Sequence, residues 1–419
     1  MTAQPFEHRT DNRAEVVIVG AGAAGMAAAI AAARAGANVS LIERTATSGG
    51  TVANALIHTL GGIYDQDQQL LNGGLAAELS DRLFQASPLT RIRRIGKTQC
   101  LNICPQIYQQ VVEKWLAEET RIERLYETCV TQVTVDGDRV VQCTAECGNR
   151  TVTVRPTAIV DTTGTAEVVR LIDPQCVNDD NLHAAGGFIF RLRGVRPGTL
   201  SFPKNITLVK KLRDAARQAK LPSSCEHAWL DQGAYDDEVF VKLFVPLTDD
   251  WRNPVQLAEL TRDTLDIQRQ VIALLHEWPE FRDARLIATG SLGVRDGGRI
   301  RGEYYLTEED VRACRRFDDA ACRCCWPIEY WHPTQGLELE YLPAGEYYEI
   351  PLRALKVQGL TNVWSAGKCL SADHKAQSSA RVVGQCWAMG EAVGRAAAAC
   401  PSNPSLRLEI QAESGPSIR

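Results

Sequence analysis

Glu15-Val-Val-Ile-Val-Gly20-Ala21-Gly22-Ala23-Ala24-Gly25 is the stretch that decides the fold. Its first half is a β-branched run ended by glycine, the pattern of a strand buried in a parallel sheet. Its second half spaces three glycines as G-x-G-x-x-G and runs on through alanines to Ala35, where Gly36 stops the helix. Each glycine has a physical task. Gly20 permits the tight strand-to-helix turn, Gly22 lets backbone approach a pyrophosphate, and Gly25 lets helix pack closely on strand. The helix start at Ala23 and Ala24 presents unpaired N–H groups and a partial positive charge to phosphates. Asn38 to Ile42 reads as the next strand and leads into Glu43, whose carboxylate can accept the hydroxyl protons of an adenosine ribose. The unit is a βαβ dinucleotide site.

Working outward, Arg44 and Ser48-Gly49-Gly50-Thr51 follow the ribose acid, and a second glycine pair there suits a long cofactor lying extended across the sheet. Residues 106–119 carry a helical apolar period. Three short strands follow over 130–135, 139–145 and 151–154, separated by Asp136-Gly137 and Gly148-Asn149 turns. Residues 158–160 read as a further buried strand, closed by Asp161-Thr162-Thr163-Gly164. The middle is richer in Trp, Tyr, Pro and charge, with a helix expected over 255–277. The end returns to the first style, with a strand at 362–365, a turn at Gly367 and an alanine-rich helix over 378–399. The expected architecture is α/β: a discontinuous nucleotide-binding domain from 14–173 and 359–400, and an α+β substrate or cap domain over 174–358. Segments 1–13 and 401–419 read as flexible tails.

Composition narrows the function classes. At about 150 residues per domain, 419 residues imply two or three domains. A net charge of −5 from 46 basic and 51 acidic residues gives no electrostatic reason to expect nucleic acid or an anionic membrane as partner. The small-apolar run 21–33 is broken by Arg34 and is no membrane span. The start is polar, without an apolar leader, so the 14 cysteines are expected as reduced thiols in a cytoplasm. A homo-oligomer is allowed, and its state is left open.

The chain resembles the FAD-dependent oxidoreductases of the two-dinucleotide-binding-fold (glutathione-reductase-like, Rossmann) type. Glu43-Arg44 followed by Gly49-Gly50 is similar to their E-R-x(4)-G-G, Val130 stands where they open the β-meander that brackets the adenine, and Thr163-Gly164 matches their T-G turn. Leu292-Gly293-Val294-Arg295-Asp296-Gly297-Gly298-Arg299-Ile300-Arg301-Gly302-Glu303-Tyr304 is similar to the signature G-V-R-E-S-R-R-I-x-G-E-Y of one such family, with Gly297 and Gly298 replacing a serine and an arginine. Gly367-Lys368-Cys369-Leu370-Ser371-Ala372-Asp373-His374 is similar to the same family's G-R-C-I-S-A-T-H. The resemblance implies FAD as cofactor. It also implies that the last turn, Gly367 and Lys368, and a helix start near Ser378 and Ser379 face the flavin, where a helix N-terminus stabilises negative charge.

Candidates for chemistry follow from position. His374 lies just before that final helix, His332 in the Tyr330-Trp331-His332-Pro333 cluster, and His58 seven residues after Thr51. Each is a candidate proton acceptor, and each has a purely structural alternative. Arg295, Arg299 and Tyr330 are expected to bind substrate, the arginines through a carboxylate or through flavin oxygens. Cys100 and Cys104 superficially match a redox pair but lie about fifty residues beyond the place where disulfide reductases carry theirs. Cys322-Arg-Cys324-Cys325 lacks two spaced pairs, and no metal site is expected.

The reading is an FAD-dependent oxidoreductase that dehydrogenates a small organic molecule at a C–OH, C–N or C–C bond, with oxygen or an unidentified acceptor taking the electrons. An NAD(P)H- and oxygen-dependent flavin monooxygenase is the first rival; the closing stretch differs from the G-D-A-A-H of aromatic hydroxylases. A non-catalytic flavin-binding component of a complex is the second, and it would have no closed pocket over the ring.

Overall fold

A computed structural model describes residues 15–178, 184–248 and 250–401. The tails expected at 1–13 and 401–419 lie outside the described residues except for Pro401. Five strands build the central sheet: β1 (Glu15–Val19), β2 (Asn38–Ile42), β3 (Ile122–Leu125), β4 (Ala158–Asp161) and β5 (Val363–Ser365). Their order is β5-β4-β1-β2-β3, and every pairing is parallel. Ile18 sits between Val160 and Leu41 in register. This is a mixed α/β fold on a parallel sheet, and strands from both ends of the chain complete it. β1, β2 and β4 are almost fully buried, which suits the apolar runs Val16–Val19 and Ala158–Val160 and leaves Asn38 and Ser40 of β2 as buried polar residues.

Helix α1 (Ala23–Arg34) follows β1, and the last helix of the fold lies across it. The sequence reads 378–399 as one helix; the structure divides it into α2 (His374–Ala380) and α3 (Val383–Ala398). Asp373 caps α2 through Ala376 N–H, and Val382 is extended, which ends the first helix and aims the second. α3 approaches α1 through glycine. A Cβ on Gly390 or Gly394 would stand 2.1 and 2.3 Å from the carbonyl oxygens of Ala24 and Ala28. Trp387 of α3 stacks on Trp115 at 5.2 Å, an aromatic contact worth about 1 kcal/mol beyond its burial.

A second core sits on a four-stranded antiparallel sheet, Trp229–Gln232, Val239–Val245, Gly186–Arg193 and Arg285–Thr289 in spatial order. Phe188, Phe190, Leu212, Val241, Val271 and Phe281 fill it, with helices Lys204–Arg217 and Pro254–His276 packed against the sheet. The long helix begins with Pro254, and Asn253 caps it through Val255 N–H. The segment 174–358, read from sequence as one insertion, divides among several cores; Val177, Ile300 and Val357 cluster with Val17, Ile159 and Val363 of the parallel sheet. Leu306, Cys322, Cys324, Ile328, Tyr330, Tyr348 and Leu355 pack with Met26 and Trp387 in the core of the parallel sheet. The hairpin Ile328–His332/Gly336–Glu340 carries the aromatic cluster to the boundary. A further three-stranded sheet, Thr59–Gly61, Thr98–Asn102 and Arg91–Ile95, was not anticipated from the sequence.

Candidate active site

The glycine turn is built as its spacing requires. Gly20 has φ +103°, and a Cβ there would lie 2.6 Å from Thr162 O. A Cβ on Gly25 would lie 1.7 Å from Gly20 O, so the third glycine is imposed by helix–strand packing. Gly22 is different: a Cβ would have no neighbour nearer than Gly50 Cα at 3.9 Å. Its glycine is not demanded by the protein itself, and the space beside it is open. No side chain caps α1, so its first N–H groups face that space unclaimed by a side-chain acceptor. Ala21 N–H donates to Glu43 Oε2 (2.7 Å), while Thr45 donates to Oε1 from both its N–H and its hydroxyl (2.8 Å each). Glu43 is thereby fixed at the end of β2 beside the turn, with acceptor capacity remaining.

The second glycine pair closes onto the first. Gly49 N–H donates to Ala21 O (2.9 Å), and Gly50 faces Gly22 so tightly that a Cβ would stand 2.6 Å from Gly22 Cα. Glu113 holds this loop by accepting from Ser48 N–H (2.8 Å) and Ser48 Oγ–H (2.6 Å). Arg44 and Thr51 are exposed, and Val130 is half-buried in the strand Thr128–Asp136. Thr163 Oγ1–H donates to Asp161 Oδ1 (2.7 Å) and fixes the turn at Gly164, over which the Lys368 side chain lies. An open cradle at Gly22, an uncapped helix start and the fixed carboxylate of Glu43 fit an extended dinucleotide.

Around the Gly367 turn the structure brings together residues far apart in sequence. His374 Nδ1 lies 2.8 Å from Asp296 Oδ2, and His374 Nε2 lies 3.1 Å from Arg299 Nη2. A guanidinium only donates, so Nε2 accepts and Nδ1 carries the hydrogen given to Asp296. Arg299 also donates to Ala372 O (2.6 Å); its Nε reaches Asp296 Oδ2 at 3.2 Å as an ion-pair contact without hydrogen-bond alignment. Burial alone would raise the Asp296 carboxyl, but the His374 hydrogen bond and the Arg299 charge outweigh it and hold the group below its ordinary value. Gln377 Nε2–H donates to Arg295 O (3.0 Å) and Lys368 O (3.2 Å), tying the Asp296 loop to the Gly367 turn.

Three cations converge beside this pair. Lys368 Nζ donates to Val294 O (2.7 Å), Arg295 donates to Ala185 O, and Arg381 Nη2 donates to Glu329 O (3.3 Å). Arg295 lies over the Trp331 ring at 4.6 Å. Burial pushes all three below their ordinary values, Arg295 to about 9 with the Arg381 charge adding to the effect.

Other expected residues are placed differently. Arg299, expected to bind substrate, is only 1% exposed and acts on His374 and Asp296 instead. Ser378 and Ser379 lie at the end of α2, not at a helix start; their hydroxyls donate to Lys375 O (2.7 Å) and Trp326 O (2.6 Å). The next helix, α3, starts at Val383. His58 is fully buried, stacked on Phe240 at 3.8 Å, with Asp231 Oδ2 3.3 Å from its Nε2. Burial and then the Lys242 charge bring it down to about 4. His332 Nδ1 accepts from the Thr334 and Gln335 N–H groups (3.2 Å each) and closes its own hairpin. Tyr330 is buried, its ring 6.3 Å from that of His374. Cys100 and Cys104 are buried, and burial raises the Cys100 thiol to about 12. Arg381, Glu329 and Glu113 were not singled out from sequence, since none lies in a motif.

A parallel-sheet dinucleotide fold with a histidine–carboxylate pair and three half-buried cations fits a nucleotide-cofactor oxidoreductase class. The chain belongs to the FAD dependent oxidoreductase family, which it matches over residues 15–412, and its cofactor is FAD. Among solved structures it is similar to a geranylgeranyl bacteriochlorophyll reductase-like protein from Thermoplasma acidophilum, at 11% identity over 96% of this chain and 80% of that one, TM-score 0.44. It is also similar to the flavin-dependent brominase Bmp2, at 13% identity over 96% and 83%, TM-score 0.46. A third is the OxyS anhydrotetracycline hydroxylase from Streptomyces rimosus, at 17% identity over 70% and 54%, TM-score 0.44. No curated protein matches the sequence. Among the described residues no helix is long and apolar enough to cross a membrane.

Proposed function

We propose that this member of the family is a dehydrogenase or oxidase that removes a hydride equivalent from a small organic substrate. FAD, when bound, supplies a two-electron acceptor. The residues of this chain divide the remaining work. Gly20, Gly22 and the start of α1 receive the pyrophosphate, Glu43 orients the ribose, and Lys368 places positive charge at the Gly164 turn. His374 is the proton acceptor. Asp296 fixes its tautomer and favours the imidazolium that forms, while Arg299 holds Nε2 until a substrate donor displaces it.

The observation that carries this reading is the Asp296–His374 hydrogen bond, 2.8 Å long and set beside the Gly367–Lys368 turn. A carboxylate, an imidazole with a defined acceptor nitrogen and a cationic wall are what C–H oxidation with proton removal requires. Oxygen or another acceptor would take the electrons. The test is anaerobic incubation of the yellow holoprotein with a panel of hydroxy acids, amino acids, amines and alcohols, followed by air. Bleaching by one class, with colour returning in air or on adding an artificial acceptor, supports the reading. A flavin that no member bleaches, yet NADPH bleaches at once, overturns it.

A further inference from the structure

We infer that Arg295 and Arg381 form a carboxylate-binding pair, and that the substrate is a small organic acid oxidised close to its carboxylate. This rests on the function proposed above and names the substrate class for the same site.

The argument begins with charge. Among the described residues neither arginine has a carboxylate within ion-pair distance; they donate to the carbonyl oxygens of Ala185 and Glu329. Arg381 Nε is buried and has no hydrogen-bond partner. Two carboxylates lie near. Asp296 is committed to His374 and Arg299, and the Glu329 oxygens accept from the indole N–H groups of Trp326 and Trp331 (2.9 Å each). Counting Glu329 against both arginines leaves one positive charge uncompensated. An unpaired charge in a low-dielectric interior is costly, so a protein that keeps one there keeps it for an anion.

Position separates this pair from the dinucleotide's phosphates. Lys368 is the cation on the cofactor side, folded over Gly164 at the end of β4. Arg295 and Arg381 instead lie on the hairpin side. Arg295 stacks on Trp331 and reaches Ala185 and Gly187, and Arg381 reaches Glu329 one strand position pair away. Both residues are half-buried, and the Arg381 Nε is shielded from solvent. The planar fork of arginine matches a carboxylate in two parallel hydrogen bonds, and the Trp331 face holds that fork flat. Arg295 also precedes Asp296 in the chain. Gln377, on the same helix as His374, donates to Arg295 O (3.0 Å), so the anion site and the proton acceptor stand on segments tied directly to each other.

The experiment uses the FAD-loaded protein. Malonate and benzoate are titrated against it, with malonamide and benzamide as neutral isosteres, reading both the oxidised-flavin difference spectrum and calorimetric heat. The expected result is saturable binding of the acids, with the amides at least about tenfold weaker, as loss of a charge-assisted hydrogen bond implies. Arg295→Met and Arg381→Met should each weaken acid binding by about tenfold to a hundredfold while the flavin stays bound. Arg→Lys at either position keeps the charge and loses the fork. It serves where a methionine variant does not fold, and it should weaken acid binding to an intermediate degree. Acids and amides binding alike, variants binding acids as the parent does, or variants that shed FAD while whatever remains loaded binds acids normally would each overturn the inference. Acid binding without any acid ever reducing the flavin would overturn the proposed reaction and leave the anion site standing. Flavin reduction by neutral substrates with no acid preference would do the reverse.

Discussion

His374 Nδ1 meets Asp296 Oδ2 at 2.8 Å, joining the first residue of α2 to the variant signature loop 78 residues earlier. Because Arg299 can only donate to the opposite nitrogen, the pair has one tautomer and one acceptor position. His374→Gln keeps the side chain's reach and loses its basicity. It is expected to retain FAD and to slow flavin reduction in anaerobic stopped flow by about two to four powers of ten. Asp296→Asn should slow the same step, because an amide no longer imposes the tautomer. A His374→Gln protein reducing its flavin at the parent rate would move the base to His332.

The three glycines of the turn predict two distinct failures. Gly20→Ala places a Cβ against Thr162 O at φ +103°, so it should lower folding stability by about 1–3 kcal/mol, seen as an earlier thermal transition. The Cβ of Gly22→Val meets no protein atom nearer than Gly50 Cα at 3.9 Å, and the position sits at φ −78°, a conformation open to any residue. Its side chain fills the open space instead. The expected product is folded, with a near-normal transition, and colourless; cofactor released by heat from the parent protein should chromatograph as FAD. A yellow Gly22→Val protein would place the pyrophosphate elsewhere.

The two ends of the chain were legible because their signals are local. A buried β-branched strand, a glycine turn and a terminal acid lie within thirty residues, and parallel pairing leaves them little freedom. The interior of the site was less so. Arg381 and Glu329 become neighbours only after the chain turns through the hairpin and breaks between α2 and α3, and neither residue carries a motif. The break itself carries no local mark, because Arg381-Val382-Val383 contains neither glycine nor proline. Residues 306–355 looked like part of an insertion from their composition. Their burial against α3 is a tertiary fact with no local signature.

Electron flow gives a third prediction. The sequence carries a single G-x-G-x-x-G fingerprint at the end of a strand, with no second one to hold a nicotinamide dinucleotide. NADPH is therefore expected to reduce the flavin slowly compared with an organic acid that bleaches it. Stopped-flow traces with each reductant, under the same anaerobic conditions, compare the two directly. Fast reduction by NADPH would favour a monooxygenase.

His58 gives a prediction about stability with no bearing on the reaction. It is sealed between Phe240 and an Asp231 carboxylate that also pairs with Arg93 and Lys242, and nothing from solvent reaches its ring. Its ordinary value of 6.5 falls to about 4 on burial. Between those two values the unfolded chain binds a proton that the folded one refuses, so the contribution is complete above pH 6.5 and is lost as the pH falls toward 4. A shift of that size corresponds to a loss on the order of 2–3 kcal/mol across the window. His58→Phe keeps the stack on Phe240 and removes the titration, while Asp231 keeps its two cations. Denaturant unfolding at a series of pH values should show a flatter profile between 6.5 and 4 for the variant, with flavin reduction unchanged. A variant whose profile runs parallel to the parent's would assign the acid sensitivity to carboxylates, and one that loses its reduction rate would return His58 to the list of bases.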